Sequence, residues 1–347
     1  MPFYYNLVFD SSVWYPSKAS GTMAWTPTSP DFGWHGDTEI ESGYVSYSST
    51  TETISGGIGR LGNCTRTNYF NFVYHDPIGV SHSFPNSTVF STGGSCGNPT
   101  TSAIGTDQFG LTLSVTSYTH CQIKETNGTL INVPTIANGS ASITDSNGNV
   151  ITADGQGHFI DTTGKTVLTV SGTPPNSKVI AYTGFTGANQ GVQMLYTSYT
   201  VRTNFGCSGV ADYPPTQNYL VSQIVMPDGS SYHFTYEETP GYAGNVTGRI
   251  ASVQLPQGGV IEYSYSGSNG GIDCADGSAI GLTRTIQSAG GSPGSTWSYS
   301  RAITSSGSSS TEITDGNNNT RSVTFVNVDT ETAPITAYEF ETSASRE

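Results

Sequence analysis

The sequence predicts an all-β protein made of stacked antiparallel β-hairpins, forming an extended, twisted repeat sheet with a loop-rich N-terminal part. Three observations predict it. Only 11% of the 347 residues are charged, against roughly 25% in an average soluble domain. Forty-two glycines, 20 tyrosines and many Ser, Thr and Asn residues take the place of charge. A strand–turn–strand pattern also recurs within the chain.

The charge deficit removes long amphipathic helices, whose solvent faces need Lys and Glu. Hydroxyl-bearing and aromatic residues suit a pleated, half-buried surface, and Gly and Asn suit tight turns. Disorder is the competing reading of so much Gly and Ser. A hydrophobic content of 34% with 11% aromatic residues supplies apolar area that disordered chains lack. Disorder is therefore confined to Ser305–Ser310 and the C-terminal tail.

The recurring pattern spans residues 220–237 (LVSQIVMPDGSSYHFTYE) and 249–266 (RIASVQLPQGGVIEYSYS). A constant shift lays Ile224 on Val253, Met226 on Leu255, Pro227 on Pro256 and Gly229 on Gly258. The same shift lays Tyr232 on Ile261, Phe234 on Tyr263 and Tyr236 on Tyr265. Proline presets the first φ of the turn and glycine accepts the positive φ that follows. Residues 232, 234 and 236 share one face of a strand. A single hairpin is marginal in water, so each unit must stack on a neighbour to bury its aromatic face. Weaker echoes occur at Tyr69–Phe84, Ile123–Ile131, Ser142–Thr152, Phe159–Thr169 and Glu312–Phe325. Pro214-Pro215 interrupts the pattern, which suggests an irregular hairpin region over 1–214 and a degenerate repeat region over 215–347.

The residues Pro227, Asp228, Gly229, Phe234, Tyr236 and Glu237, with Pro256, Gly258, Tyr263 and Tyr265, resemble the bacterial RHS/YD-repeat family, and Tyr232 is a further core position of the unit. Glu237 and Ser266 stand where that family often carries Asp, and Asp76-Pro77-Ile78-Gly79 fits its turn. The resemblance is most specific over residues 215–330. Upstream, Phe3–Trp14, Asp37–Tyr47, Asn68–Phe84 and Tyr199–Cys207 are similar in general pattern to the N-terminal region of large RHS proteins. The resemblance implies β-sheet ribbons spiralling into a shell, an extracellular or cell-surface location, and a non-enzymatic structural or interaction role. Implied partners are further repeats of the same or a longer chain, including self-assembly. Some family members enclose a C-terminal toxin. The D-P-x-G-L segment that precedes such a toxin is not read here, so toxin delivery is not expected of this chain by itself.

Charge and motifs narrow the function classes. Twelve basic residues against 26 acidic ones give a net charge of −14, which disfavours nucleic acid. No apolar run reaches the length of a membrane-spanning helix, and Phe3–Pro16 reads as a strand rather than a signal peptide. Histidines 35, 75, 82, 120, 158 and 233 form no metal motif; His75 and His82 flank one turn and can approach each other, with Asp76. Ser95 and Ser292 lie in G-x-S-x-G matches but lack a following helix. The Asp145 and Asp315 loops lack the Gly and Glu that a calcium loop needs at its sixth and twelfth positions. Glu237-Glu238 point to opposite faces of a strand. No catalytic residue, cofactor or metal is expected.

The alternative function is a glycan- or surface-binding β module, or a subunit of an extracellular filament. Its candidate platform is the trio Trp14, Trp25 and Trp34, which otherwise staples a loop-rich cap. Five cysteines, at 64, 96, 121, 207 and 274, leave at least one thiol unpaired within the chain. Cys207 with Cys274, flanking the repeat pair, is the favoured disulfide. Cys64 with Cys96 or Cys121 is a second suggestion, and free thiols are the alternative. Six N-x-[ST] sequons, at Asn63, Asn86, Asn127, Asn138, Asn245 and Asn318, are compatible with secretion and glycosylation.

Overall fold

A computed structural model describes the chain except for residues 1–4, 20, 37–41, 55–62, 79, 85–88, 93–101, 108, 137–138, 185, 268, 275–277, 279, 292–293, 306–307, 328–338 and 347. The described elements are all β-strands. With one parallel exception in each of two places, neighbouring strands run antiparallel. The chain forms two compact units. The first comprises Met1–Asp10, Trp34–Ser171 and Val179–Gly191; the second comprises Ser11–Gly33, Gly172–Lys178 and Val192–Glu347. The long C-terminal portion of the second unit thus begins at Val192, upstream of Pro214-Pro215.

In the first unit, a meander runs from Ala103–Thr106 through Thr112–Ser117, His120–Lys124, Leu130–Val133, Ala141–Thr144 and Val150–Ala153. It continues through His158–Ile160 and Thr166–Ser171 to Lys178–Thr183. Alternate residues point inward, as the period of a strand requires. The inward positions pair across the ladder: Leu113 with Ile123, Ile123 with Ile131, Ile131 with Ile143, and Ile143 with Ile151. Each such cross-strand apolar pair contributes roughly 0.2–1 kcal/mol. A second sheet pairs Tyr44–Ile54 with Cys64–His75, and the latter with Ser81–Phe84 and Phe90–Thr92. Val45, Phe72, Tyr74, Phe84 and Phe90 from this sheet join Leu113, Val115 and Ile123 in one buried core.

In the second unit, the meander runs through Thr216–Val225, Ser231–Glu238, Asn245–Gln254, Val260–Gly267, Ile280–Gln287 and Ser295–Ser305. It ends with Ser308–Thr314, Thr320–Asn327 and Glu339–Arg346. The Ser-rich segment from Ser308 and the C-terminal Glu339–Arg346 are therefore strands, not disordered: ladder bonds to both neighbours or to one side stabilise backbone that composition alone would leave loose.

The two repeat copies occupy the same register. Ile224 faces Tyr232, and its equivalent Val253 faces Ile261. Both turns close identically. Met226 N–H donates to Ser230 O and Gly229 N–H to Met226 O; Leu255 N–H donates to Gly259 O and Gly258 N–H to Leu255 O. The same pair of bonds closes the turns that start at Glu125, Asp145, Asp161, Gly184 and Asp315. This is a type I turn followed by one left-handed residue, the form that suits a three-residue hairpin loop. The left-handed position is held by Gly128, Gly148, Gly164, Gly187, Gly229 and Gly258, and by Asn318 at φ 63°. Where Asp opens the turn, as at Asp145, its Oδ1 accepts the N–H groups of Asn147 and Asn149, a local bond that Asp favours.

Two glycines of the first unit separate backbone freedom from space. Gly148 has φ +84° with nothing near an added Cβ, whereas at Gly157, φ +92°, that Cβ would collide with the Val170 carbonyl. Gly148→Ala is expected to cost about 1 kcal/mol, for the left-handed backbone alone. Gly157→Ala is expected to cost on the order of 3 kcal/mol, because the ladder must also shift. Urea unfolding of the two variants checks the difference; equal losses would contradict it.

Candidate functional site

The second unit holds a cluster of polar groups in an apolar setting. It begins with a break in strand alternation. From Val246 to Ile250 every residue of the strand Asn245–Gln254 is buried. Tyr236 pairs with Ile250 and Glu238 with Val246, so three residues stand opposite Glu237 alone. Gly248, at φ +81° and packed against the Phe32 ring, takes up the bulge; glycine in a strand interior often marks one. The result turns Thr247 and Arg249 toward the same carboxylate. Thr247 Oγ1 and Arg249 Nε donate to Glu237 Oε2 at 2.6 and 2.8 Å.

Arg249 is 3% exposed. Its guanidinium lies 3.9 Å from the centre of the Tyr265 ring and 5.0 Å from that of Phe205, a favourable place for a desolvated cation. Nη2 also lies against Glu237 Oε2, but out of line for a hydrogen bond, and it finds no aligned acceptor. Tyr265 donates its hydroxyl to Ile250 O at 3.0 Å. Burial pushes its pKa up to about 12, with Arg249 opposing, so it remains a neutral donor. Removing a buried charge's partner typically costs 3–5 kcal/mol, which makes Glu237 the anchor of this arrangement.

Aromatic side chains complete the wall. Trp14 donates Nε1–H to Thr247 O at 2.8 Å and packs against Phe32, Phe205 and Tyr213. Trp25 meets Phe205 edge-on. Asp212 fixes the Phe205 segment by accepting from Thr203 Oγ1, Phe205 N–H and Gly206 N–H. Cys207 and Cys274 form a disulfide with Cα atoms 5.1 Å apart, joining this segment to the Asn269–Cys274 loop. Beside these groups opens a cavity of about 540 Å³ bordered by Trp14, Arg249, Tyr265, Tyr299 and Arg301. Arg301 has its pKa lowered by burial, with Asp273 opposing; arginine nevertheless stays charged.

The first unit contains a second cluster, built on histidine. His82 is 9% exposed. Its Nδ1 lies 3.0 Å from Asp107 Oδ2 and its Nε2 3.3 Å from Asp76 Oδ2. Asp76 Oδ1 and Asp107 Oδ1 each accept two N–H groups of their own turn, so one ring ties two hairpin turns together. The Asp76 hydrogen bond raises the His82 pKa, against the effect of burial, and Asp107 adds to the rise. His75 behaves oppositely. It stacks on Tyr44 and contacts Ser46 and Ser81 hydroxyls, and burial lowers its pKa to about 4.

The sequence-derived candidates are placed as follows. Pro227, Asp228 and Gly229 form an exposed turn in which Asp228 Oδ1 accepts from Ser230 N–H and Oγ–H, and Pro256 and Gly258 form its counterpart. Phe234 and Tyr236 are buried, while Tyr232, Tyr263 and Tyr265 are half-buried. The tryptophans do not form one platform. Trp25 and Trp34 are 4% and 5% exposed, Trp34 packs on Phe9 in the first unit, and Trp14 and Trp25 belong to the second. Burial of the Trp25 and Trp34 rings, and their division between the two units, correct the expectation of a three-ring sugar platform. Cys64 is disulfide-bonded, Cys121 is a free buried thiol, and Cys96 lies outside the described residues. This rules out Cys64 with Cys121. Ser95, Ser292, Asn86 and Asn138 also lie outside them. Among the described residues no group of three or more His, Cys, Asp and Glu could hold a metal, and no helix is long and apolar enough to cross a membrane. Arg249 and Arg301 were missed by sequence reasoning, and Glu237 was read only as a repeat position and as half of an acidic pair. The available signal was a glycine beside a basic residue inside a strand, in a chain with few charges.

The two histidines give the first unit a stability maximum. A raised folded pKa means that His82 contributes fully below its unfolded value near 6.5 and loses that contribution as pH rises through the folded value. A lowered folded pKa means that His75 costs stability as pH falls from about 6.5 toward 4. Urea midpoints are therefore expected to peak near pH 6.5. His82→Gln is expected to remove the alkaline limb and leave the acid one. An unchanged alkaline limb would refute the His82 assignment.

No protein-family model matches this chain, and no curated protein does.

Proposed function

We propose that the chain is a non-enzymatic structural and interaction module of RHS/YD-repeat type, working outside the cell or at its surface as part of a β-sheet wall. One observation carries this reading. Tyr236 donates its hydroxyl to Val221 O at 2.6 Å, and Tyr265, its counterpart in the second copy, donates to Ile250 O at 3.0 Å. Both bonds span fifteen residues, |i−j| = 15 in each case. The repeat is thus a repeat of packing and hydrogen bonding as well as of sequence, and the tyrosine that marks it staples its second strand to its first.

Stacking such units is a way to extend a sheet without a new core for each addition. Further repeats or further copies of the chain are the partners this reading implies.

Two measurements test the proposal. Tyr236→Phe and Tyr265→Phe are each expected to destabilise the second unit by about 1 kcal/mol, by loss of one hydrogen bond. Negative-stain microscopy of the purified chain is expected to show β-rich assemblies or particles, with no depolymerase activity on a panel of polysaccharides. Turnover abolished by a single carboxylate change would overturn the reading in favour of an enzyme.

A further inference from the structure

We propose that two neighbouring turn tips of the first unit, at Ile78, Val80 and Phe109, insert into the interfacial region of an electrically neutral lipid bilayer. This goes beyond the structural role and does not rest on it.

Six aspartates among the described residues open turns of one design. The aspartate N–H donates to the carbonyl four residues on, and Oδ1 accepts the N–H groups two and four residues on. They are Asp76, Asp107, Asp145, Asp154, Asp161 and Asp315. The residue two positions after the aspartate is exposed at the tip of each turn. It is Asn147, Gln156, Thr163 or Asn317 in four turns, and Ile78 or Phe109 in the other two. The residue four positions on shows the same contrast, with Asn149, His158, Lys165 and Asn319 against Val80 and Leu111. The backbone of this turn is therefore indifferent to polarity. Ile78 and Phe109 keep apolar surface in water where a polar residue serves the turn equally well.

The two apolar turns are also the two that share a histidine. Asp76 Oδ2 lies 3.3 Å from His82 Nε2, and Asp107 Oδ2 lies 3.0 Å from Nδ1. The Phe109 ring meets the His82 ring edge-on at 5.4 Å. Ile78 and Phe109, each 63% exposed, and Val80, 43% exposed, thus form one patch on two tips held together. A single exposed apolar residue is ordinary, whereas a group of them rimmed by polar residues marks an interaction site.

Size argues against a second copy of the chain as the occupant. Burying an aromatic side chain removes roughly 150–250 Å², so three partly exposed residues fall short of the roughly 800 Å² per partner of a stable protein interface. Two copies of a chain of net charge −14 also repel each other. A lipid surface needs no matching area, because it closes around a narrow projection and takes up a few apolar side chains. The carboxylates that would resist insertion are withdrawn from the tips. Asp76 and Asp107 side chains are 17% and 2% exposed and hydrogen-bonded through both oxygens. The described residues of the two turns include no Lys or Arg, so anionic headgroups find no counter-charge there. The net charge of the chain repels such headgroups as well, which leaves a neutral bilayer.

Co-sedimentation of the full chain with phosphatidylcholine vesicles tests this. The chain is expected to bind them, with no gain when phosphatidylglycerol is added. Ile78→Asn and Phe109→Asn install the residue that the Asp145 and Asp315 turns already carry at this position. The melting temperature is therefore expected to hold, while vesicle affinity falls at least about tenfold in each. Ile136→Asn changes a residue that is 60% exposed at the opposite end of the meander, and is expected to bind as the parent does. Should Phe109→Asn unfold, Phe109→Trp is expected to gain a blue-shifted emission component on vesicle addition that the parent lacks. No binding to neutral vesicles, binding that grows with anionic lipid, a folded Ile78→Asn protein that binds unchanged, or an equal loss in Ile136→Asn would overturn the proposal. A dimer in sedimentation velocity that Ile78→Asn dissolves would overturn it in favour of a second copy.

Discussion

A hairpin whose apolar side chains all lie on one face has nothing of its own to bury them against, and that constraint organises both units. Each strand supplies a short row of inward residues, and the next strand completes it. In the first unit the row from Leu113 through Ile123, Ile131 and Ile143 to Ile151 is continuous across five strands. In the second, Ile224 with Tyr232 and Val253 with Ile261 do the same in two successive hairpins. Turn chemistry serves this constraint. A one-residue slip would carry every inward side chain to the other face, and a turn of fixed length with one left-handed residue sets the register.

Departures from the regular ladder are where polar chemistry collects. Gly248 lets three residues oppose one, and the cost is a burst of polar groups in a buried place. Thr247, Arg249 and Glu237 satisfy most of it among themselves, and the rings of Tyr265 and Phe205 cover the guanidinium. Asp76 and Asp107 show a milder version, since each closes its own turn with one oxygen and reaches His82 with the other. A chain with few charges places several of them where burial makes each interaction count.

Regular hairpins with Tyr236 and Tyr265 support the reading of a structural wall. A wall made of local, repeated bonds tolerates an irregular strand, such as the bulged one, that its neighbours hold in place. Free Cys121 adds no reactive site: burial pushes its pKa up to about 12, so it stays a protonated member of the first core.

Much of the architecture was legible beforehand because it is local. Strand period, the Pro-Asp-Gly turn and the equivalence of residues 220–237 with 249–266 depend on neighbours a few positions apart, and composition excludes long helices. The equivalence even predicts which tyrosines correspond, though not that their hydroxyls reach the preceding strand. Long-range partners were not legible. Trp14 meets Thr247 across 233 positions in the chain, and Trp34, only nine residues from Trp25, packs in a different unit. His82 finds Asp107 as well as the neighbouring Asp76. No spacing rule connects such residues, since their proximity follows from the order in which whole strands stack. Sequence by itself determined the hairpins, their turns and their apolar faces; tertiary structure alone decided which charges were buried together, because that depends on where a bulged strand points its side chains once the sheet has formed.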